Sequence, residues 1–304
     1  MTDIDEDENG RPGEIQRDGW MRLKGGWGPK TYNFQMRIDQ GTIADQYIYR
    51  QFIEGIGYEL EITWPLLRAL NPGDLFVDVG ANIGYFTLLA AQLVGSWGHV
   101  LAFEPGIEAR SALRANIAEN GFDNITVIDR PAFREVAEVT FWNNHEASAG
   151  SALYDAEMLA PNKGNRITPL TMMATTIDAE VERLAPNGRP VVIKIDVEGA
   201  EQQVLEGAVR TIARRRPKLV FAEFHPVGLG HMGGSLLGMR QFMAGLGYWT
   251  WILRPDDAVP TYLPPGTDVN FLDVPPHVVA TLNMLFATPR TVEEFWPMLA
   301  LKVG

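Results

Sequence analysis

A glycine turn flanked by carboxylates is the part of the sequence best suited to binding a ligand. Residues 76–91 read FVDVGANIGYFTLLAA, in which Asp78 follows an apolar run and Gly80, Asn82 and Gly84 come at alternate positions. Glu104 ends a second apolar run, at an offset typical of a carboxylate that accepts hydrogen bonds from both ribose hydroxyls. The pattern predicts a strand, a tight turn and a helix around an adenosine-containing cofactor.

The residue types in this turn distinguish between such cofactors. A dinucleotide site needs Gly-x-Gly-x-x-Gly, whereas these glycines are spaced Gly-x-x-x-Gly with Asn82 between them. No Gly-Lys-Ser/Thr follows, which excludes a P-loop. Asp78 would repel a phosphate but attract the amino group and sulfonium of S-adenosylmethionine. The alternative is an ordinary turn of another α/β protein, and the acidic residues at both ends of the motif favour S-adenosylmethionine.

The composition is that of an acidic protein without cysteine. The 304 residues carry a net charge of -12, and 46% of them are hydrophobic, enough for a large core. The absence of cysteine excludes disulfides and thiolate ligands, and the negative charge disfavours nucleic acid as a partner. The first residues are acidic rather than apolar, and no apolar run is long enough to span a bilayer. We therefore expect a cytoplasmic protein with no membrane span.

From residue 75 onward, apolar runs alternate with segments of helical spacing. This alternation predicts an α/β fold with a mostly parallel sheet and helices on both faces. The predicted strands cover residues 75–79, 99–103, 125–129, 191–196, 219–224, 248–253 and 281–287, with a further pair near 138–142 and 167–170. The main predicted helices cover residues 83–94, 108–120, 199–215 and 235–246, and a glycine-rich loop covers 225–234.

The combined pattern resembles the FkbM family of S-adenosylmethionine-dependent methyltransferases over about residues 58–289. The resemblance is carried by Gly57-Tyr58-Glu59, by DVGANIG at 78–84, FEP at 103–105, Asn116, IKIDVEGAE at 193–201 and LEG at 205–207. It implies a class I, Rossmann-like methyltransferase fold with a seven-stranded sheet. It also implies methyl transfer to oxygen, usually a hydroxyl of a sugar or a secondary metabolite.

Composition and pattern divide the chain into segments, and the resemblance adds residues to the cofactor site. Residues 71–290 form the methyltransferase domain, 19–70 an N-terminal cap of strands and helices, 1–18 a disordered acidic tail and 291–304 a C-terminal tail. Tyr58 and Glu59 are expected to reach the cofactor from the cap. Asn116 is expected to lie with the cofactor-binding residues, as a support for the loop that carries Glu104.

Two residues at the end of the predicted strand 191–196 are candidates for catalysis. Open α/β sheets bind ligands at the carboxyl ends of their strands, where Asp196 stands. Asp196 is predicted to contact the acceptor hydroxyl, as a base or by orienting it, or to contact the methionine part of the cofactor; it could also cap the following helix. Lys194 lies on the same side of the strand. Because an unpaired buried lysine is costly, we expect it to pair with Asp196 or Glu223, as a structural ion pair or in catalysis.

Glu223 and His225 are candidates at the end of the next strand. A histidine is the usual general base for a hydroxyl, although His225 could equally cap the loop before Pro226. Asp196, Glu223 and His225 together could also bind Mg²⁺ or another divalent ion. The FkbM pattern does not require a metal, so this is a minority hypothesis.

The leading prediction is an O-methyltransferase that acts on a small molecule or a glycan, with homo-oligomers possible. An N- or C-methyltransferase with the same cofactor is the first alternative, and activity that survives loss of His225 and Asp196 would favour it. A non-catalytic binding module with the same fold is the second alternative.

Overall fold

The computed structural model describes residues 19–39, 41, 43–146, 150–155, 164–254, 259–267 and 282–296. The predicted acidic tail at 1–18 and residues 297–304 of the predicted C-terminal tail lie outside these ranges. Among the described residues, no helix is both long enough and apolar enough to cross a membrane.

The helices and strands, in chain order, are β1 (Trp20–Trp27), β2 (Lys30–Arg37), α1 (Ile43–Ile53), α2 (Leu60–Ala69), β3 (Leu75–Val79), α3 (Tyr85–Val94), β4 (His99–Phe103), α4 (Ile107–Glu119), β5 (Ile125–Ile128), β6 (Glu138–Asn144), β7 (Ile167–Met173), α5 (Ile177–Leu184), β8 (Pro190–Ile195), α6 (Glu201–Glu206), α7 (Val209–Arg215), β9 (Leu219–Phe224), α8 (Pro226–His231), α9 (Leu236–Gly245), β10 (Trp249–Leu253), β11 (Thr261–Tyr262), β12 (Leu282–Ala287) and α10 (Pro289–Phe295).

The main sheet has eight strands in the order β11-β10-β12-β9-β8-β3-β4-β5. Strands β9, β8, β3, β4 and β5 are mutually parallel, and β12 runs antiparallel to both of its neighbours. The seven predicted strands are all present in this sheet, and the eighth strand is the two-residue β11 at its edge. The α/β class with a mostly parallel sheet is therefore confirmed, with one short strand more than predicted.

Apolar side chains pack on both faces of the sheet. On one face, the β1–β2 hairpin, α2, α3 and α10 share a core with residues such as Phe76 and Phe221. On the other face, α5, α6, α7 and α9 pack on residues such as Val77, Ile193 and Val220. The strands β3, β8 and β9 are almost wholly buried because helices cover both faces. The predicted N-terminal cap therefore contributes side chains to the first of these two cores.

The predicted helix at 199–215 is two helices, α6 and α7, separated at Gly207 and Ala208. A Cβ on Gly207 would lie 2.0 Å from the carbonyl oxygen of Phe133, so the chain passes too close to that backbone for any side chain. Asp178, in the first turn of α5, accepts hydrogen bonds from the backbone N–H groups of Arg210 and Thr211 in α7. Thr176 is the residue that caps α5, through a hydrogen bond from the Ala179 N–H.

Two further segments differ from prediction. The predicted glycine-rich loop at 225–234 contains the short helix α8. Residues 291–296, assigned to a C-terminal tail, belong to or follow α10, where Phe295 and Trp296 are buried. Arg68 of α2 donates a hydrogen bond to the Phe295 carbonyl. The end of the described chain therefore packs against the cap through buried apolar side chains. The local sequence of this short segment does not indicate that packing.

Candidate functional site

The turn between β3 and α3 is closed against the end of β8. Gly80 has φ +79°, and a Cβ there would lie 1.8 Å from the carbonyl oxygen of Asp196. Gly84 has φ +105°, and its Cβ would lie 2.5 Å from the Leu113 side chain. Only glycine fits both the backbone conformation and the space at these positions. Gly80 therefore allows the end of β3 to approach the end of β8 closely.

Glu104 bonds to the turn from the end of β4. Its Oε2 accepts a hydrogen bond of 2.7 Å from the Asn82 N–H, and its Oε1 accepts one of 2.8 Å from the Gly106 N–H. Burial raises the pKa of Glu104 to about 7, and the two backbone N–H groups oppose that rise. Each carboxylate oxygen has a further lone pair, so this side chain can also accept hydrogen bonds from a ligand.

Asn116 supports the turn from α4. Its Nδ2 donates to the Ile83 carbonyl at 2.8 Å, and its Oδ1 accepts from the Arg37 N–H of β2 at 2.9 Å. The side chain is fully buried, and it joins the glycine turn to the cap hairpin. These contacts support the turn itself rather than the loop that carries Glu104.

Two buried oxygen atoms near the turn have no hydrogen-bond donor among the described residues. Asp78 is 1% exposed; its Oδ2 accepts from the Thr87 hydroxyl at 2.6 Å, whereas its Oδ1 has no partner in the described parts of the chain. The Oδ1 of Asn82 is also buried and has no hydrogen-bond partner in the described parts of the chain. Buried polar atoms are normally hydrogen-bonded, so both oxygens fit a ligand that brings N–H or O–H groups.

Lys194 lies at the centre of the carboxylates. Its Nζ donates to Asp196 Oδ2 at 2.9 Å, and the lysine side chain is only 4% exposed whereas that of Asp196 is 33% exposed. Burial opposes the charged lysine, but the carboxylates of Asp196, Asp78 and Glu59 outweigh it and hold the pKa of Lys194 above its ordinary value. Lys194 is therefore a fixed cation that balances nearby carboxylates, and Asp196 is the acidic partner that the sequence predicted.

The cap contributes Tyr58 and Glu59 to the same cluster. The Tyr58 ring lies 4.9 Å from that of Tyr85 and 5.8 Å from that of Phe86, and its carbonyl accepts from the Thr63 hydroxyl. Burial raises the pKa of Glu59 to about 7, and Lys194 lowers it. The charges of Glu59 and Asp196 both act on Tyr58, which places the end of the cap beside the end of β8.

Glu223 ends β9 beside the other carboxylates. Its backbone pairs with Asn283 of β12, and the side chain is partly buried. Burial, followed by the charges of Asp196 and Glu198, raises the pKa of Glu223 well above its usual range. A protonated carboxyl is therefore favoured here relative to an exposed glutamate.

His225 caps the helix α8. Its Nδ1 accepts a hydrogen bond of 2.9 Å from the Gly228 N–H, and burial lowers the pKa of the ring. A neutral imidazole that accepts at Nδ1 carries its proton on Nε2, so in this arrangement the ring can donate but has no free lone pair. The capping role is thus present in the structure, and a role as a base would require the cap to break.

The minority hypothesis of a metal site has no support in the geometry. In the parts of the chain that the structure describes, no three His, Asp or Glu side chains are arranged to hold a metal ion. Asp196, Glu223 and His225 therefore do not form the ligand set that the strand ends suggested.

Two glutamates in the loop after β8 were not predicted as site residues. Glu201 is fully buried, and its Oε1 accepts from the N–H groups of Val197 and Gly199 at 3.1 and 3.0 Å. Glu198 has φ +57°, a conformation that glutamate rarely adopts. A glutamate directly before Gly199 was the available signal, since such a pair often marks a left-handed bend.

Backbone strain is concentrated at this site. Four non-glycine residues have positive φ in the described ranges, and three of them, Glu59, Asn82 and Glu198, line the cluster. Asparagine tolerates this conformation, whereas a glutamate is strained by it. Such strain tends to persist where a side chain has a function.

Comparison with known proteins identifies the family to which the chain is similar. The family described as "Methyltransferase FkbM domain" matches residues 78–249, which is more than half of the chain. The chain is 32% identical over 191 residues to 31-O-demethyl-FK506 methyltransferase FkbM of Streptomyces tacrolimicus, which covers 56% of this chain and 73% of that relative. It is 28% identical over 171 residues to the hexuronic acid methyltransferase AglP of Haloferax volcanii, which covers 55% of this chain and 62% of AglP.

Among solved structures, methyltransferase FkbM from Methylobacillus flagellatus KT aligns with a TM-score of 0.39 at 16% identity. The alignment covers 70% of this chain and 43% of that chain, so the present chain spans less than half of that protein's length. The match to the family over residues 78–249 and the identity to the Streptomyces relative show that this chain belongs to the FkbM methyltransferase family.

Proposed function

We propose that the protein is an S-adenosylmethionine-dependent O-methyltransferase that acts on a hydroxyl of a small molecule, a sugar or a secondary metabolite. The family membership supports methyl transfer. The names of two relatives support the acceptor class: one is named for an O-demethylated small molecule and the other for a hexuronic acid.

The buried oxygen atoms without donors carry the proposal for the cofactor. Asp78 Oδ1 and Asn82 Oδ1 need donors, and Glu104 can accept more hydrogen bonds than it receives. S-adenosylmethionine supplies a methyl group on a positively charged sulfur, with an ammonium and two ribose hydroxyls as donors. Glu104 would hold the ribose hydroxyls, and Asp78 the amino group. Gly80 keeps this edge free of a side chain.

Asp196 has a different role from that of a free base. Lys194 holds its carboxylate at 2.9 Å, so Asp196 is a fixed anion at the edge of the pocket. A carboxylate held in this way orients an acceptor hydroxyl by accepting its hydrogen bond. It also stabilises positive charge near the sulfur by electrostatic attraction.

Calorimetry with purified protein tests the cofactor site. We expect S-adenosylmethionine and S-adenosylhomocysteine to bind, and Glu104→Gln to weaken both by loss of charge-assisted hydrogen bonds worth about 1.5–3 kcal/mol each. Asp78→Asn should weaken S-adenosylmethionine binding as well. The control is Glu119→Gln, an exposed carboxylate at the end of α4, which should bind normally. If the unmodified protein binds neither ligand, the proposal fails and the hypothesis of a non-catalytic binding module is favoured.

Product analysis separates transfer to oxygen from the alternatives. The acceptor product, isolated after transfer of a labelled methyl group, should carry the label on oxygen by mass spectrometry and NMR. Label on nitrogen or carbon would instead establish the N- or C-methyltransferase reading. Transfer that survives replacement of both Asp196 and His225 by alanine would point the same way, because such acceptors need less help in losing a proton.

A further inference from the structure

We propose that Glu198, in the loop between β8 and α6, takes the proton of the acceptor hydroxyl. This role rests on the proposed methyl transfer to oxygen. The O–H bond of the acceptor breaks, its electron pair stays on the oxygen and forms the bond to the methyl carbon, and the proton binds a carboxylate oxygen of Glu198. The electron pair of the broken carbon–sulfur bond leaves with the sulfur.

The loop holds Glu198 in a defined place. The backbone N–H groups of Val197 and Gly199, on either side of it, both donate to the buried carboxylate of Glu201. Gly199 has φ +114°, and a Cβ there would lie 2.3 Å from the carbonyl carbon of Gly228. The residue before Glu198 and the residue after it are thus both anchored to Glu201. The backbone position of Glu198 therefore follows from the fold and does not depend on a ligand.

The identity of the residue at this bend also points to the side chain. A left-handed conformation at φ +57° favours glycine, and a glutamate there adds strain. The simplest sequence for the loop alone would have glycine at position 198. The presence of glutamate here therefore indicates that its carboxyl group has a function, since strained residues are concentrated at functional sites.

Three of the other candidate groups are already engaged by the protein. Asp196 pairs with Lys194, and Glu201 accepts two backbone N–H groups while fully buried. His225 uses its Nδ1 lone pair to cap α8. Glu198 is partly exposed, and the contact that supports it is a backbone N–H of Gly150. Glu198 is thus less engaged by the protein than Asp196, Glu201 or His225, and freer than these three to accept a proton from a ligand.

A second feature near Glu198 points to a hydroxyl-bearing ligand. The hydroxyl of Tyr154 is buried, the residue being 9% exposed, and it has no hydrogen-bond partner among the described residues. The charges of Glu198 and Glu201 both act on this hydroxyl, so the three groups are neighbours. Glu201 Oε2 is likewise buried without a donor in the described ranges. An acceptor with three hydroxyls would place one on each of these two atoms and present the third to Glu198.

The electrostatic surroundings suit this task. Burial, followed by the charges of Asp196 and Glu201, raises the pKa of Glu198 to about 8, and Lys194 opposes the rise. Glu223 on β9 belongs to the same cluster, and the charge of Glu198 contributes to the raised pKa of Glu223. A base whose pKa lies near the working pH is the most effective proton acceptor. The charged and titratable groups around Glu198 thus include members from β8, α6, β9 and the segment at 150–155.

The test compares cofactor binding with methyl transfer in matched variants. Glu198→Gln keeps the shape of the side chain, Glu198→Gly relieves the strain, and Glu206→Gln in α6 is the control, since its carboxylate contacts only Gln202 in the described part of the chain. Calorimetry measures S-adenosylmethionine affinity. Radiolabelled methyl transfer is measured with a small-molecule extract of the cells that naturally make the protein, which supplies acceptors without prior identification.

We expect Glu198→Gln and Glu198→Gly to bind S-adenosylmethionine like the unmodified protein and to lose transfer by at least about 100-fold, the smaller end of what a general base contributes. Glu198→Gly should melt at or above the temperature of the unmodified protein. Transfer by the unmodified protein should rise with pH up to about 8, because the base must be ionised. Glu206→Gln should behave as unmodified protein.

Three outcomes would overturn the role of Glu198. Glu198→Gln could transfer methyl at the normal rate, or it could lose cofactor binding together with transfer, or Glu198→Gly could be destabilised, which would make the side chain structural. If the unmodified protein binds S-adenosylmethionine but labels nothing in the extract, the proposed transferase function fails and this role fails with it. Normal labelling by both Glu198 variants would refute only the role of Glu198.

Discussion

Replacement of Lys194 by methionine tests whether one buried cation balances the carboxylates of the site. Methionine is an uncharged side chain of similar length, and it loses only the contacts of Nζ, which include one with the Phe86 ring at 5.1 Å. The change removes the charge that bonds Asp196 at 2.9 Å and acts on Asp78 and Glu59. Lysine at this position is therefore tested for its charge and not for its volume.

The expected loss follows from burial. Breaking a buried ion pair by removing one partner costs about 3–5 kcal/mol, since the remaining charge has no partner. Because Asp196 is 33% exposed, water stabilises part of its charge, and we expect about 3 kcal/mol. For a chain of this size that corresponds to a fall in melting temperature of about 6–12 °C.

The matched control is Lys218→Met. Lys218 pairs with Glu294 at a similar distance, 2.8 Å, but the two side chains are 45% and 52% exposed. Exposed pairs contribute less than about 1 kcal/mol, so this variant should melt close to the unmodified protein. The contrast between the two lysines isolates the effect of burial from that of pair geometry.

The pH dependence gives a second measurement on the same variant. Without Lys194, the folded-state pKa values of Asp78 and Glu59 rise further above their unfolded values. An acid whose pKa is raised in the folded state binds its proton more tightly there, so stability falls as pH rises through that pKa. The deficit of Lys194→Met should therefore be small near pH 4.5, the ordinary value for glutamate, and should grow as the pH rises through and beyond about 7. A deficit no larger than that of Lys218→Met, or one that grows on acidification, would refute the role of Lys194 as counter-ion.

Three further results are expected. Gly80→Ala should lose roughly 3 kcal/mol or more of stability by overpacking against a carbonyl oxygen. Gly73→Ala, also at positive φ but with open space around it, should lose only the strain of about 1–2 kcal/mol; equal losses would refute the clash. His225→Ser should retain most methyl transfer because serine can cap α8, whereas a loss of about 100-fold would restore the imidazole as the base. Stability of the unmodified protein should fall between pH 4.5 and about 7, by on the order of 3 kcal/mol from the fully buried Glu201 alone, and Glu201→Gln should flatten this fall in thermal denaturation; a rise over that range would contradict it.

Much of the fold was predictable because the main sheet follows local rules. Buried parallel strands are continuous apolar runs, and helices with apolar spacing separate them, so all seven strands were placed from pattern alone. The grouping of carboxylates at the ends of β3, β4, β8 and β9 followed from the same rule, because the carboxyl ends of parallel strands share an edge. The glycine turn was predictable for a different reason, since glycine at these spacings indicates a close approach of backbone.

The remainder depends on contacts between residues far apart in the chain. The break between α6 and α7 results from the approach of Gly207 to Phe133, and the packing of α10 results from burial against α2. Neither leaves a local signal in a helical pattern. The capping role of His225 was foreseen as one of two interpretations, and only the hydrogen bond from Gly228 shows that the lone pair is used.

Charge balance at the site explains why a cationic ligand suits it. Burial raises the pKa values of Glu59, Glu104 and Glu201 to about 7 and that of Glu198 to about 8, and Lys194 is the buried cation that opposes these rises for Glu59 and Glu198. A cationic ligand bound among these carboxyls would favour their ionised forms and release protons. In the proposed reaction the donor carries a positive sulfur and the demethylated product does not, so transfer would remove a charge that favours ionised carboxyls. Proton uptake by the cluster would then accompany the loss of charge on sulfur, which favours release of the product over the donor.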